Sequence, residues 1–445
     1  MMKLKPLHFL LVTVLCANTV VQAADLLETL RAAQANDPVF AAARATRQAG
    51  QEKLSQGRSV LMPTVNLNAN STFNDQTMAY RPATPPLFTG GNARYNSSGF
   101  GVTVVQPLFR QQNWLAYTES ELQVVQSEAQ FKIAEQDLVL RVAQAYFDVL
   151  IAQDSLQLVA AQKNAISEQL EQARRNFEVG SATITDTLEA KARYDLTGAQ
   201  EIAAQNNLEI RRRALQQLIN TMPHDLSPLG KEFKLAPPQP ANMEQWVDDA
   251  LANNLQLAIA RAGAELAEKE VTRNRGGHYP TLDLVANYSK NSANGSITGL
   301  GNDNTSKSIG VQLNVPLFQG GAVDSRAREA QANRERADQE LENARRSVAT
   351  QTRQAYLGVV SGIAQVQALQ QALASSESVL EASKLGQQVG VRTNLDVLNA
   401  QQQSYSTRRD LYQAQYNYLV SQLRLKAAVG SLDEADLGKV NQALR

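Results

Sequence analysis

The chain of 445 residues carries 43 basic and 43 acidic residues, and this balance gives no indication of nucleic-acid binding. Its one cysteine, Cys16, lies near the N-terminus and only three histidines are present, so disulfides, thiol chemistry and most zinc sites are not expected in the body of the chain. Aromatic residues make up 6% whereas Ala and Gln are abundant, a composition that suits long helices better than one thick globular core.

The N-terminal segment has the features of a secretory signal peptide. A short basic start is followed by an apolar stretch from Leu7 to Leu15 and by a small-residue site that ends at Ala23. This order predicts cleavage after Ala23 and a mature protein outside the cytoplasm. Beyond this segment no run of about 18 apolar residues occurs, so we expect entry into a membrane only as strands.

Two segments with the period of a β-strand follow a first helical region, which spans Asp25 to Leu61. In residues 64–74 apolar side chains such as Val65 alternate with asparagines, and a second alternating segment around Val102 comes after a polar loop at residues 75–95. Strands of this kind occur in transmembrane barrels, with the apolar face toward lipid, and in soluble sheets with one packed face. The secretory signal, the Asn-rich face and the long loops at one end of each hairpin favour the barrel.

A long helix is predicted from Gln111 to Val179, because this stretch contains neither Gly nor Pro. At 1.5 Å per residue it would form a rod of about 100 Å. From Leu138 onward its apolar residues follow the four-three spacing of a coiled coil. Gly180 is expected to end this helix in a tight hairpin, and a returning helix begins near Thr185 and runs to about Met222.

The whole pattern occurs a second time. Repetition on this scale indicates two structural units that cover each other or are covered by other chains, which favours a scaffold, channel or assembly over a lone catalytic pocket. The matching landmarks are Asn36-Asp37 and Asn253-Asn254, Pro63-Thr64 and Pro280-Thr281, Pro107-Leu108-Phe109 and Pro316-Leu317-Phe318, Ala145-Tyr146 and Ala355-Tyr356, and Val179-Gly180 and Val389-Gly390.

These observations define the predicted organisation of the chain. Residues 1–23 form the signal peptide, and residues 24–221 form a first repeat of helix, two strands, long helix and returning helix. Residues 222–242 contain five prolines and are predicted to be a linker. The second repeat covers residues 243–430, and residues 431–445 form a C-terminal tail.

Four strands are too few to close a barrel with a useful interior. Their open edges must then pair with other copies of the same chain. A cyclic trimer would supply twelve strands and a dimer eight, and composition and period alone do not choose between them.

The two copies together, which cover essentially the whole mature chain, resemble the TolC family of outer-membrane channel-tunnels. The most specific stretch runs from Val389 to Ala400 and reads VGVRTNLDVLNA, and its counterpart from Val179 to Asp186 reads VGSATITD. Duplicated hairpins of this kind, together with Pro-Leu-Phe at the strand ends, are a strong signal that covers essentially the whole mature chain.

The resemblance implies a mainly α fold with a membrane β portion. Each protomer would supply long coiled-coil helices and four strands, and a homotrimer would build a twelve-stranded barrel in outer-membrane lipid, continued into the periplasm by a helical tunnel. It also implies docking to a periplasmic adaptor, or membrane fusion protein, and to an inner-membrane transporter of ABC or RND type. The tips at Val179, Gly180, Val389 and Gly390 would contact the adaptor.

A periplasmic gate is implied by the same resemblance. Arg392 matches the family's basic residue just after the second tip glycine, which bonds to a Thr-Asp pair on a neighbouring first tip, here Thr185 and Asp186. Asp396 matches an inward-facing carboxylate at the constriction, where a ring of charges favours cations. Capping of the returning helix is the plainer role for Thr185 and Asp186, and both roles can coexist.

Two positions depart from the best-known member of the family. Asn399 occupies a second acidic position of the constriction, and Gln387 replaces a Tyr that helps the closed state. We therefore expect less negative charge at the constriction and a closed state that is weaker or differently bonded.

The sequence thus predicts an outer-membrane export duct of a Gram-negative bacterium that passes drugs or secreted proteins from a tripartite efflux or type I secretion assembly. No catalysis, cofactor or metal is expected, because neither a nucleophile with its base nor a phosphate loop is recognisable. The alternative is a secreted coiled-coil structural or adhesive protein whose sheets pack on its helices. Which cargo, adaptor and transporter are used lies beyond the sequence.

Overall fold

A computed structural model gives the fold of residues 25–79, 91–223, 225–230, 233–297 and 299–444. The predicted signal peptide with Cys16 lies outside these described residues, and so does His224. Within them, no helix is both long and apolar enough to cross a membrane.

Two successions of helices and strands follow each other along the chain. The first comprises α1 Leu26–Asn36, α2 Pro38–Ser59, β1 Thr64–Met78, β2 Gly91–Phe109, α3 Gln111–Glu178 and α4 Ile184–Ile219. The second comprises α5 Met243–Asn253, α6 Leu255–Arg275, a short 3-10 turn Gly276–His278, β3 Thr281–Ala293, β4 Asn302–Asn314, α7 Ala322–Gln388 and α8 Asn394–Val429, followed by α9 Glu434–Asn441.

Corresponding helices of the two successions have nearly equal lengths. The long helices α3 and α7 contain 68 and 67 residues, and the returning helices α4 and α8 contain 36 each. At 1.5 Å per residue the long helices are about 100 Å rods, as the absence of Gly and Pro in the first of them predicts.

Each helical region before a hairpin of strands is divided into two helices. The first is interrupted at Asp37, whose extended backbone ends α1 and whose carboxylate accepts from the N–H groups of Val39 and Phe40 at the start of α2. Asn254 does the same between α5 and α6 by accepting from Leu257 at 3.1 Å. The matching Asn-Asp and Asn-Asn pairs of the sequence are therefore helix boundaries.

The four strands form one antiparallel sheet in the order β1-β2-β3-β4. β2 begins at Gly91, inside the segment predicted as a polar loop, and β1 continues to Met78. The strands continue because polar residues pair there, as in the salt bridge of 3.0 Å between Arg94 and Asp75 on facing strands. Their outer ends carry no apolar alternation, which is the signal on which the prediction relied.

One face of this sheet exposes apolar side chains. Leu67, Phe73 and Ile309 are 70%, 66% and 75% exposed. The helices of the chain therefore do not cover the sheet, which contradicts the alternative of a soluble protein whose sheets pack on its helices.

The main core lies halfway along the long helices, where α3, α4, α7 and α8 pack with the short helices α1, α5 and α9. Its largest fully buried side chains are aromatic and include Tyr146 and Tyr418. Tyr418 holds the predicted linker in place, because its hydroxyl accepts from the N–H of Ala236 at 2.9 Å and donates to the carbonyl of the same residue at 2.7 Å. The predicted C-terminal tail contains α9, and Leu444 pairs with Leu229 of the linker.

A glycine lets α2 approach α3 closely. A Cβ added at Gly57 would lie only 2.5 Å from Cβ of Ser120, and neither atom is the far end of a flexible side chain.

We expect Gly57→Ala to destabilise the protein by about 1–3 kcal/mol, since α2 and α3 must separate. The matched control is Gly198→Ala in α4, where no atom lies within 4 Å and where added helix propensity should stabilise by about 1 kcal/mol. Thermal unfolding of detergent-purified protein measures both, and equal effects would contradict the packing argument.

Candidate functional site at the helical tips

The first tip is a tight turn between α3 and α4. Gly180 has a φ of 75°, and the N–H of Ser181 donates to the carbonyl of Asn176 at 2.8 Å. A left-handed residue followed by this bond closes the last turn of α3 and satisfies carbonyls that the helix end would otherwise expose.

The second tip repeats this geometry between α7 and α8. Gly390 has a φ of 81°, and the N–H of Val391 donates to the carbonyl of Gly386 at 2.9 Å. Both tips present a valine to solvent, with Val179 77% and Val389 66% exposed. Each hairpin thus ends in an uncovered apolar side chain next to its glycine.

The aspartates of the predicted gate lie in the first turns of the returning helices, where they take part in capping. Asp186 accepts from the N–H and hydroxyl of Thr183 at 2.9 and 2.7 Å, and Asp396 accepts from the same groups of Thr393 at 2.9 and 2.8 Å. Each threonine hydroxyl in turn accepts from the N–H of its aspartate, which completes a capping box. In both boxes the Thr-to-Asp bonds end on Oδ2 of the carboxylate.

Arg392 and Asp396 lie on one face of the second tip. A guanidinium nitrogen of Arg392 is 4.0 Å from Oδ1 of Asp396. The two bonds from Thr393, backbone first, and the nearby positive charge hold the pKa of Asp396 below its ordinary value. The carboxylate therefore stays charged at neutral pH.

The structure brings some of the predicted residues together within one chain and leaves others apart. Arg392 is near Asp396, whereas in the described part of the chain it makes no ion pair with Asp186. Thr185 is exposed in the first turn of α4, and the residue that caps this helix is Thr183, so the predicted capping role is confirmed for Asp186 and wrong for Thr185. A bond from Arg392 to the Thr-Asp pair would therefore join two chains, as the resemblance implies.

Gly386 is a residue of this site that the sequence interpretation missed. A Cβ at Gly386 would lie 2.7 Å from Cγ of Arg392, so the arginine stem lies across the last turn of α7 in the space that the glycine leaves. The corresponding residues of the first tip are Asn176 and Ala182. A glycine within the last helical turn, one turn before the tip glycine, is the signal that could have indicated this packing.

Asn399 is paired with a residue that the sequence interpretation did not consider. Its side-chain oxygen accepts from Arg193 of α4 at 2.9 Å. The departure from an acidic residue at this position is thus accompanied by a cation on the neighbouring hairpin.

The family model described as outer membrane efflux protein matches residues 29–221 and 246–431. The chain belongs to the outer membrane efflux protein family. Members of this family are channel and transport proteins rather than a family of enzymes.

Curated relatives and a solved structure agree with this family membership. The outer membrane protein TolC of Escherichia coli K12 is 36% identical over 433 residues, which cover 95% of this chain and 85% of TolC. The alkaline protease secretion protein AprF of Pseudomonas aeruginosa is 35% identical, with 93% of this chain and 86% of AprF covered. The crystal structure of the outer membrane protein VceC of Vibrio cholerae superposes with a TM-score of 0.77 at 20% identity, covering 91% of this chain and 96% of VceC.

The predicted fold class and location are therefore confirmed. This outer membrane efflux protein combines a helical tunnel portion with a membrane sheet, and it is an export duct in the outer membrane of a Gram-negative bacterium.

Proposed function

We propose that three copies of the chain form one duct, in which twelve strands close a barrel in outer-membrane lipid and the helices form a tunnel into the periplasm. The observation that carries the proposal is the sheet itself, which has an uncovered apolar face and two free edges in a single chain. Three such sheets give a barrel that is wide enough to pass cargo. Two sheets would give an eight-stranded barrel whose interior is filled by its own side chains.

The tips serve as the periplasmic gate of this duct. Arg392 of one protomer donates to Thr185 and Asp186 of the first tip of its neighbour. The capping boxes support this role. The bonds from Thr183 end on Oδ2 of Asp186, and Oδ1 of this carboxylate accepts no hydrogen bond within the described part of the chain. One carboxylate can thus cap its helix and accept the guanidinium of the next protomer.

The same tips dock the other proteins of the assembly. Val179 and Val389 are exposed beside their tip glycines, and in the trimer they would form an apolar ring that contacts a periplasmic adaptor. An inner-membrane transporter of ABC or RND type would supply the cargo. The name of the relative AprF, an alkaline protease secretion protein, supports secreted proteins as this cargo, and the family description as efflux proteins supports drugs. The duct itself performs no bond chemistry and requires no cofactor.

The gate is tested by combining Arg392→Ser with Asp186→Ala. We expect a higher mean single-channel conductance in planar bilayers, because the loss of about 1.4 kcal/mol of closing free energy shifts the ratio of open to closed channels about tenfold.

Arg346→Ser is the matched control. Arg346 lies on α7, is 79% exposed and pairs with Glu342 of the same helix. The single-channel conductance of the Arg346→Ser variant should equal that of the unmodified protein. If the double variant also conducts like the unmodified protein, Arg392 and Asp186 do not form the latch.

A further inference from the structure

We propose that Arg193 is a second closing contact of the gate, which clamps the two hairpins of one protomer together. This inference rests on the proposed gating role of the tips. It assigns Arg193, with Asn399 and Gln402 as its acceptors, to the seam within a chain, whereas Arg392 acts at the seam between chains.

The contact uses the fork of the guanidinium. One terminal nitrogen of Arg193 donates to the side-chain oxygen of Gln402 at 2.5 Å and the other donates to that of Asn399 at 2.9 Å. The two acceptors are three residues apart on α8 and therefore lie on one face of that helix. A planar cation with two parallel donors fixes the orientation of α4 against α8 in a way that an ammonium group would not.

An apolar cluster beside this contact shows that the two hairpins pack together there. Leu398 of α8 is 3% exposed and packs among residues of the first hairpin. Arg193 lies at the edge of the same cluster, together with Gln402. Movement of α8 away from the first hairpin would expose Leu398 and break both bonds of Arg193. The buried members from the first hairpin are Ile166, Leu170, Ala173 and Ala190.

The internal duplication makes the contact specific to one kind of seam. A seam is the contact between two adjacent helical hairpins. In a ring of hairpins built from identical chains, seams between the two hairpins of one chain alternate with seams between hairpins of neighbouring chains. The position that corresponds to Arg193 in the second copy is Gln403, which donates to Thr407 of its own helix at 3.2 Å. Arg392 likewise has Ala182 as its counterpart in the first copy. Each kind of seam thus receives one arginine.

Charge explains why Asn399 is suited to this contact. An amide oxygen accepts from Arg193 without adding a negative charge, so the guanidinium can hold two amides at once. If the residue were an aspartate, Arg193 would be drawn into an ion pair that is stronger than the present bond. Aspartate at this position should therefore tighten the closed state, but only while Arg193 is present.

The test compares single-channel conductance of trimers in planar bilayers for Arg193→Gln, Arg193→Lys, Asn399→Asp and the double variant Arg193→Gln/Asn399→Asp. We expect Arg193→Gln to raise the mean conductance about twofold or more, and Arg193→Lys to raise it less. Asn399→Asp alone should lower the conductance, whereas in the Arg193→Gln background it should raise it. A residue that only supports the fold would not produce this reversal of sign.

Arg213→Gln is the matched control. Arg213 lies on the same helix, and its bonds go to Glu209 and Gln216 of α4. It should leave the conductance unchanged. Equal conductance of Arg193→Gln and Arg213→Gln, or the same sign of the Asn399→Asp effect in both backgrounds, would overturn the clamp.

The outcomes separate this inference from the proposed function. If Arg392→Ser/Asp186→Ala opens the channel and Arg193→Gln does not, the gate stands and the clamp is wrong. If only Arg193→Gln opens it, the clamp stands and the latch between chains is wrong. If neither variant opens the channel, the proposal of gating at the tips is wrong, and so is the proposed role of Arg193. Should Arg193→Gln fail to form trimers, Asn399→Asp and Arg193→Lys still decide the matter.

Discussion

Cysteines at Gln312 and Asn70 should produce a covalently closed trimer under oxidising conditions. The expected product on a denaturing gel without reductant is a band of three chains, which returns to a monomer when reductant is added. Apart from Cys16 in the predicted signal peptide the chain contains no cysteine, so the engineered pair would be the only thiols of the mature protein.

The contact between β2 and β3 inside one chain indicates which residues of β4 and β1 should face each other between chains. When the two Pro-Leu-Phe segments are aligned, Thr103 of β2 corresponds to Gln312 of β4, and when the two Pro-Thr pairs are aligned, Asn287 of β3 corresponds to Asn70 of β1. Thr103 and Asn287 are direct partners across the two strands, and their side chains are bonded at 2.9 Å. The edge β4 of one chain should therefore pair with β1 of the next in the same register.

The apolar face supports this register. It places Ile309 opposite Phe73 and Leu313 opposite Ala69 of the neighbouring chain, so that apolar residues meet on the face that is exposed in a single chain. A shift by one residue would place this face toward the wet interior.

The control combines the cysteine at Gln312 with one at Asn74, which points to the same face but lies four residues along β1. A disulfide requires its Cβ atoms to be about 3.5–4.5 Å apart, so this pair should not close. Equal cross-linking of the two pairs would disprove the register, and a closed product of two chains would disprove the trimer.

Replacing Asp37 by alanine should destabilise the protein by about 3–5 kcal/mol. The carboxylate is only 3% exposed, forms a salt bridge of 2.7 Å with Arg141 of α3, and caps α2 through Phe40 at 3.1 Å. Its removal leaves a partly buried guanidinium with one partner fewer and the start of α2 without its cap. The unfolding temperature of detergent-purified protein should fall accordingly.

The internal duplication supplies the control for this variant. Asn254 caps α6 in the corresponding place without a charge partner, so Asn254→Ala should cost only about 1–2 kcal/mol. A loss for Asp37→Ala that does not exceed the loss for Asn254→Ala would show that the salt bridge contributes nothing.

The salt bridge also has a defined dependence on pH. Burial opposes ionisation of Asp37, but the hydrogen bond and charge of Arg141 and the N–H groups of Phe40 and Val39 outweigh it, so the pKa of Asp37 is below its ordinary value of 3.8. A lowered pKa in the folded state stabilises the protein above the unfolded pKa, and this stabilisation is lost as the pH falls through the folded value. The difference between the unmodified protein and Asp37→Ala should therefore be constant above about pH 5 and shrink in stronger acid.

Much of the fold follows from local features of the sequence. The long helix α3 ends within one residue of its predicted end because residues 111–179 contain no Gly or Pro and Gly180 follows them. The extent of β2 was underestimated, since the segment from Gly91 carries polar residues whose pairing depends on a neighbouring strand rather than on alternation. Helix α9 was predicted only as part of a tail, because its stability comes from packing rather than from length.

The candidate site was predictable only in part for the same reason. The tip glycines follow from adjacent residues, whereas the cap of α4 was expected at Thr185 and is Thr183, two residues earlier. The contact of Arg193 with Asn399 joins residues 206 positions apart, and no local pattern indicates which helices become neighbours. The packing of Arg392 over Gly386, by contrast, has a local signal, because a glycine stands in the last turn of α7, one turn before the tip glycine.

The first helix is completed by the last. Asn441 of α9 accepts from the N–H of Leu26 at 3.0 Å and donates to Asp25 at 2.9 Å, although more than 400 residues separate them along the chain. During secretion the N-terminal residues cross the inner membrane first, yet their final partners follow only when synthesis has finished. Until α9 has formed, the start of α1 is therefore held only by its own capping box of Asp25 and Glu28, and the N–H of Leu26 lacks its side-chain acceptor.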